Sequence, residues 1–476
     1  MGSSRTGLKN MKIQLIKPTR LDENKKPIKY RKSLLPPLSL AIIDRLTPDR
    51  HQVKVVNDIV EDIDYSSSYD LVGITAITVQ ADRAYQVADR FREMGVKVII
   101  GGIHASVLPH EAKKHADSVV IGEVEGVWEQ VLADLENNRL REFYQNTSPY
   151  DLRQLIIPKW DNMNMKIYAK QIGHKFPPIP IFTTRGCAFD CKFCSVSKIY
   201  GKTYKIKPIA NVIKEIDSLD MGNYFFVDDN VVCDFDYSRE LFNALIPKKI
   251  TWMSQISTTI LNSPDLIDLA GRSGCNLLAI GIESLNKNSL KSMNKGFNHP
   301  EAYAELFARL RKAHIIAFPS IIFGFDEDSL DQVRETIDFL MKNKVGTALF
   351  TMLTPFPGTR IYRELKDAGR IITHNWSMYD SANMVFAPKH ITVNEFSRRY
   401  WQEHRKYFNF RNIGKRLFYI STMARRPFAD FFDMLFYLIH NRVKVYSYNL
   451  PISEGIFRVR RKKNIDKKSR EVKIKT

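Results

Sequence analysis

The chain has 476 residues, 44% of them hydrophobic and 26% charged, a composition that excludes a disordered or low-complexity protein and supplies enough apolar sequence for two or three cores. Five cysteines, three of them packed between positions 187 and 194, do not make a disulfide framework. The formal net charge of +20 invites a nucleic-acid or membrane-surface reading, yet ten Lys and Arg against two acidic residues between Phe457 and Thr476 put +8 of it in a terminal tail.

The chain opens on a polar Met1-Gly2-Ser3-Ser4 without a secretory pattern, so a reducing cytoplasm is expected. Lys12–Ile16 reads as a buried strand, and apolar runs follow at Val53–Val56, Leu71–Ile74, Val96–Ile100 and Ser118–Ile121. Between them Leu38–Arg45, Gln80–Met94 and Gly126–Asn137 repeat apolar residues at helical spacing, so residues 11–145 alternate strand and helix as an open parallel sheet does. Such sheets bind ligands beyond the carboxyl ends of their strands. Those ends carry Thr75, Thr78, Gly101, Gly102, His104, Gly122 and Glu123, small or polar residues that let a ligand approach the backbone. No G-x-G-x-x-G follows the first strand, which argues against a dinucleotide site.

Residues 146–178 hold Pro149, Pro158, Pro177 and Pro178 with little periodicity and read as a linker. Alternation then resumes over 179–385. Strands are expected at Ile179–Thr184, Tyr224–Val227, Thr251–Gln255, Leu277–Gly281, Phe318–Phe323 and Thr347–Leu353, with helices between them. Six strand-helix pairs make a partial barrel, whose chemistry belongs at the carboxyl ends of its strands. Directly after the first strand, Arg185-Gly186 turns the chain into Cys187-Ala-Phe-Asp-Cys191-Lys-Phe-Cys194. Thiolates are the soft ligands of iron-sulfur clusters, and three of them on a four-iron cluster leave one iron open for substrate. A zinc knuckle is the plainer alternative, but no fourth Cys or His occurs in the thirty residues after Cys194.

The C-x3-C-x2-C loop after the first barrel strand resembles the radical S-adenosylmethionine superfamily. The preceding domain, with Leu34-Leu-Pro-Pro37 and with Gly101-Gly102 beside His104, resembles the cobalamin-binding domain of that superfamily's largest subclass. The likeness spans roughly residues 11–410. It implies a [4Fe-4S] cluster held by Cys187, Cys191 and Cys194 as the catalytic centre, S-adenosylmethionine on the open iron, and cobalamin against Thr75, Thr78, Gly101, Gly102, His104, Gly122 and Glu123. By the same resemblance Phe193 touches the adenine, and Asp228, Asp229 and Asn230 accept the methionine ammonium. Gln255 and Ser257 close the third strand, Glu283 beside Ser284 takes the ribose hydroxyls, Gly324 lets the adenine lie against backbone, and Pro355 belongs to the last cofactor-side turn. The D-x-H-x-x-G pattern for a lower axial histidine is missing, so His104 is expected to be a loop histidine rather than a cobalt ligand. Taken singly, Asp228 to Asn230 and Asp326 suit turns or helix caps; their recurrence at successive strand ends favours a site. Cys233 and Cys275 read as small buried residues, and Cys233, five residues past Asp228, is also a candidate for lining the active site.

Residues 386–476 are expected to be mostly helical, starting with Val393–Tyr407. The run Pro427–His440 is apolar but interrupted by Asp430 and Asp433, too short and too charged to span a bilayer. Its basic flanks, Arg425, Arg426, Arg442 and Lys444, fit either attachment to the cytoplasmic face of a membrane or a helix packed beneath the barrel. Nucleic acid is the least favoured partner, because the basic residues form a tail rather than a groove. Trp376, Tyr379 and Phe386-Ala-Pro-Lys389 look like the group of hopanoid methylases and archaeal lipid ring synthases. The expected fold is therefore α/β: a Rossmann-like cobalamin-binding domain, a partial (β/α)6 barrel of the TIM type, and a helical C-terminal region.

The resemblance implies methylation of an unactivated carbon in a lipid or other hydrophobic small molecule, with a reducing partner such as flavodoxin or ferredoxin. Radical ring closure or carbon-carbon coupling is the second reading. A non-catalytic iron-sulfur or cobalamin module is the third, and it leaves the polar strand ends unexplained. A methylthiotransferase needs further cluster cysteines near the amino terminus, and residues 1–186 contain none.

Overall fold

The computed structural model describes residues 10–423, 425–449 and 455–459. Runs of consecutive apolar residues can be buried only in strands covered on both faces, and the first of them, Lys12–Lys17, has four successive buried positions. It lies inside a six-stranded parallel sheet ordered Gln52–Asn57, Lys12–Lys17, Leu71–Thr75, Lys97–Gly101, Ser118–Ile121, Phe143–Gln145. Helices Leu38–Leu46, Ala81–Glu93 and Trp128–Glu136 cover it. The chain order reverses between Lys12–Lys17 and Leu71–Thr75, and a doubly wound sheet opens its ligand crevice at such a reversal.

The second sheet runs Ile179–Ile181, Asn223–Phe226, Thr251–Ile256, Cys275–Glu283, Ile316–Phe323 and Leu349–Met352 in sequential order, all parallel and open at its ends. Helices Ile209–Leu219, Phe235–Leu245, Asp265–Arg272, Tyr303–Lys312 and Gln332–Lys342 follow successive strands, making the expected partial barrel. The run read as one strand, Ile179–Thr184, divides. Ile179–Ile181 stays in the barrel, while Thr184–Gly186 leaves it to pair antiparallel with Tyr204–Ile206. The cause is Asp228, whose carboxylate takes the N–H groups of Thr183 and Thr184 out of the parallel ladder.

Helix Val393–Tyr407 lies along the last barrel strand, the Tyr400 hydroxyl donating to the Phe350 carbonyl at 2.9 Å. Helices Phe410–Ser421 and Pro427–Tyr446 then pack under the amino ends of the strands. There His314 Nδ1 meets the Met423 carbonyl at 2.9 Å, and the Arg425 guanidinium donates to the Ala313 carbonyl at 3.2 Å. Gly455–Arg458 returns to the first domain and pairs antiparallel with Tyr30–Ser33. Gly455 is required there, since a Cβ would stand 2.3 Å from Tyr30 Cγ. No helix among the described residues is long and apolar enough to cross a membrane. The basic tail beyond Val459 lies outside the described residues.

Candidate active site

The carboxyl ends of the two sheets face each other. Val107, just past the end of strand Lys97–Gly101, lies so close to Gly358 in the last barrel turn that a Cβ on Gly358 would come 2.9 Å from Val107 Cγ1 and 3.3 Å from Lys198 Cγ. Arg185, two residues before the first thiol, crosses to the first domain: its guanidinium donates to Glu123 at 2.7 Å and to Glu125 at 2.5 Å. Lys205 Nζ reaches the same Glu123 carboxylate at 2.8 Å, and the Tyr150 N–H donates to it at 3.0 Å. Burial alone would raise the Glu123 carboxyl; Lys205 and Arg185 together hold it below its ordinary value. Glu123, expected beside the cobalamin, thus holds the barrel loop to the first domain.

The other first-domain residues sit on neighbouring strand ends. Gly101 pairs with Thr75 across the ladder, and Gly102, at φ +94°, lies so near the preceding loop that a Cβ would stand 2.7 Å from the Ala76 carbonyl and 2.9 Å from Thr75 Oγ1. Thr78 is buried in the short 3-10 turn that follows. Ser106, a residue whose role sequence spacing does not reveal, joins two of these ends: its hydroxyl donates to the Gly102 carbonyl at 2.8 Å and accepts the Gly122 N–H at 2.9 Å. A Cβ on Gly122 would meet nothing within 4 Å. His104 is buried, its Nε2 3.0 Å from the Tyr85 hydroxyl and 3.3 Å from Glu111, with the Trp376 indole edge-on.

On the barrel side the three thiols occupy the loop between Thr184–Gly186 and the short helix Val196–Tyr200. Cys191 is buried and Cys187 and Cys194 are half-buried. Burial raises Cys191 and pushes Cys194 up to about 11. Cys187 is raised first by its hydrogen bond to Cys233, whose sulfur lies 4.0 Å away, and then by burial. Cys233 therefore borders the thiol loop, and Asn230 Nδ2 donates to it at 3.2 Å. Cys275 is buried at the start of its strand, as expected.

Asp228 and Asp229 divide in role. Asp228 is fully buried and accepts from the Thr183 N–H and hydroxyl and from the Thr184 N–H; burial pushes its carboxyl up to about 6 against those bonds. Asp229 accepts the Gly186 N–H at 3.0 Å and stays raised by burial. Asn230 bonds Ser257 twice, Nδ2 to Oγ at 3.1 Å and Oδ1 from the backbone N–H at 3.0 Å. Gln255 donates to the Asp228 carbonyl at 3.4 Å.

At the fourth strand end the register shifts between Gly281 and Glu283, and Glu283 adopts φ +59°. A bulge of this kind re-aims a side chain. Here it sets the Glu283 carboxylate against Lys295 Nζ at 2.6 Å, above Gly281. Lys295 was not legible as a site residue, lying in an ordinary-looking Asn294-Lys295-Gly296 turn. Burial opposes its charge, but Glu283 and the neighbouring Cys191 and Cys194 raise it above the usual ammonium value. Its Nζ also lies 5.8 Å from the Phe193 ring centre. Ser284 accepts the Asn286 N–H in the turn that follows. Gly324, at φ +98°, donates its N–H to the buried Asp328, and a Cβ there would meet Met384 at 3.3 Å. Asp326 instead pairs with Arg370 and accepts the Lys389 N–H. Pro355 is buried in the last turn, which leads to Gly358.

A thiol loop on a half-barrel whose strand ends face a doubly wound domain defines the class: residues 181–340 match the Radical SAM superfamily and residues 28–132 the B12 binding domain. The chain is 34% identical over 357 residues to the bacteriochlorophyllide d C-12(1)-methyltransferase of Chlorobaculum tepidum, covering 74% of this chain and 77% of that one. It is 22% identical to the hopanoid C-2 methylase of Rhodopseudomonas palustris, covering 71% and 66%. The same fold occurs in the radical S-adenosylmethionine methyltransferase TsrM from Kitasatospora setae, solved with cobalamin and [4Fe-4S] cluster bound, at TM-score 0.59 and 16% identity over 82% of this chain and 85% of that chain. The chain belongs to the cobalamin-dependent radical S-adenosylmethionine methyltransferase family. It is an enzyme, and its cofactors are a [4Fe-4S] cluster, S-adenosylmethionine and cobalamin.

The chemistry of the residues present fits those groups, although among the described residues the three sulfurs are not drawn together into a metal-holding group. Three thiols on one loop beside a buried cation suit an anionic thiolate cluster. The open space above Gly122 suits a large ligand lying on the backbone, whereas Gly102 serves the close approach of Ala76.

Proposed function

We propose that the enzyme methylates an unactivated carbon of a hydrophobic small molecule held between the two sheets. When bound, the cluster with S-adenosylmethionine supplies hydrogen-atom abstraction, and cobalamin supplies the methyl group. Cys187, Cys191 and Cys194 would hold the cluster. Phe193, Asp229, Asn230, Ser257, Glu283 and Gly324 would line the S-adenosylmethionine side. Asp228 holds Thr183 and Thr184 where the loop leaves the barrel, and Lys295 keeps a positive charge beside Cys191 and Cys194. On the opposite face Gly122 leaves backbone open to the corrin, with Thr75, Gly101 and Gly102 on the neighbouring strand ends, while Arg185, Glu123 and Glu125 fix the distance between the faces and exclude water from that side.

The observation that carries this reading is the joining of the thiol loop to the first-domain strand ends through Arg185. Chemistry that passes a methyl group between two cofactors needs their sites opposed and dry. The relatives' names, a bacteriochlorophyllide methyltransferase and a hopanoid methylase, support a large, mostly apolar ring system as substrate. A cytoplasmic protein with a low-potential donor such as flavodoxin or ferredoxin, and peripheral membrane contact through the C-terminal region, completes the reading. The test is anaerobic turnover of the reconstituted enzyme with reductant and apolar extracts. Equal formation of 5'-deoxyadenosine and S-adenosylhomocysteine is expected, with a product heavier by CH2 because methyl replaces the abstracted hydrogen. 5'-Deoxyadenosine alone would replace methylation by radical ring closure or coupling.

A further inference from the structure

Helix Pro427–Tyr446 is packed under the barrel, yet its outward face carries no charge. Phe428, Phe432, Phe436, Ile439, Val443 and Tyr446 are all exposed, from 36% for Ile439 to 74% for Phe428. At about 100° per residue these positions fall within an arc of roughly 80° and run for about 27 Å. A surface helix normally places polar residues there. The neighbouring helix adds Phe410 and Phe418, exposed at 65% and 66%, and the Arg442 guanidinium joins the two helices by stacking 4.2 Å from the Phe410 ring centre and 4.0 Å from that of Tyr446.

The charges bordering this stripe have one sign. Arg411, Lys415 and Arg425 are exposed. The only acidic residues of this segment are Asp430, buried against Arg426 at 2.8 Å, and the half-buried Asp433, which lies off the stripe and accepts the Ile172 N–H at 3.0 Å. Two copies joined stripe to stripe would set these basic rims against each other. The chain's own tail is a poor cover, because residues 460–476 contain only Ile465, Val472 and Ile474 as aliphatic residues among nine Lys and Arg. An aromatic stripe edged by cations is complementary to an anionic bilayer surface, where rings enter the headgroup boundary and basic side chains meet lipid phosphates.

We propose that helices Phe410–Ser421 and Pro427–Tyr446 seat the enzyme on an anionic lipid bilayer through this stripe. The bilayer then lies under the amino ends of the barrel strands, and the thiol loop opens on the opposite side. The proposal deepens the peripheral contact put forward above and is independent of methyl transfer. Vesicle binding is read without turnover, so either can fail alone.

The experiment is flotation of the full chain with vesicles of phosphatidylcholine, with and without phosphatidylglycerol. Binding should need the anionic lipid and weaken with salt. Phe428→Ser with Phe432→Ser should lower partitioning at least about tenfold, and Arg411→Gln with Lys415→Gln about tenfold or more, both with unchanged circular dichroism and melting temperature. Should the serine variant misfold, Phe428→Trp gives a second measurement: its emission should be quenched by brominated acyl chains. No binding by the wild type, binding equal in the serine variant, or an unquenched tryptophan would overturn the proposal. So would a wild-type dimer, seen by light scattering, that the serine variant dissolves without any vesicle binding.

Discussion

Lys295 Nζ stands 2.6 Å from Glu283 Oε1, with each side chain only 9% exposed. Breaking a buried pair leaves the surviving charge without compensation, at a cost of about 3–5 kcal/mol. Lys295→Met should therefore lower stability by about that amount in chemical denaturation. Adding Glu283→Leu should restore much of the loss. If the double variant is no more stable than the single one, the pair is not the source of the cost.

Cys187, Cys191 and Cys194 differ in expected consequence from the two remaining cysteines. Alanine at any of the three should abolish iron and sulfide retention and the broad visible absorbance after anaerobic reconstitution. Cys233→Ala should retain the cluster although Cys233 lies 4.0 Å from Cys187. Loss of iron in Cys233→Ala would make it part of the cluster site.

His404 is fully buried among Phe350, Tyr400, Trp401 and Phe408, and neither ring nitrogen has a hydrogen-bond partner. Burial, aided by the Arg416 cation, pushes its pKa down to about 3. The unfolded chain therefore binds a proton that the folded one refuses between about pH 6.5 and 3. Stability from this group is complete above pH 6.5 and lost as pH falls, by up to about 1.4 kcal/mol per pH unit. His404→Phe should flatten the acid limb of a melting-temperature profile; an unchanged slope would assign the loss to other groups.

Arg185, Glu123 and Glu125 form one unit, so their substitutions should not add. Arg185→Met is expected to cost about 3–5 kcal/mol, because the Glu125 carboxylate then stays buried and unpaired. Removing both carboxylates with it, as Glu123→Gln and Glu125→Gln, should be milder than the single change. Additive losses in urea titrations would show three separate contacts instead.

The alternation of apolar runs, the helix Val393–Tyr407 and the thiol loop were legible because each rests on local spacing. Features built across distance were not. Phe143–Gln145 is not among the strands expected from the sequence, being three residues long and apolar only in Phe143 and Tyr144; sheet pairing with Ser118–Ile121 makes it a strand. The resemblance implies that Asp228 contacts the cofactor, but the carboxylate is turned back on Thr183 and Thr184. Lys295 has no local signal, since its meaning comes from Glu283, and Glu283 is aimed by a register shift that no periodicity shows. Gly455–Arg458 and Tyr30–Ser33 illustrate the limit of sequence reading: Gly455 pairs with Ser33 and Arg458 with Tyr30 across most of the sequence.

That last pairing also bears on how the protein is made. The edge of the first domain at Tyr30–Ser33 leaves the ribosome well ahead of its partner Gly455–Arg458, with the whole barrel between them. Domains ordinarily condense in the order of synthesis. Here the first cannot complete this edge until the barrel and the helices beneath it have been synthesised. The edge is closed only after the barrel has been made, and a nascent chain stalled before Gly455 would expose an unpaired strand to chaperones and proteases.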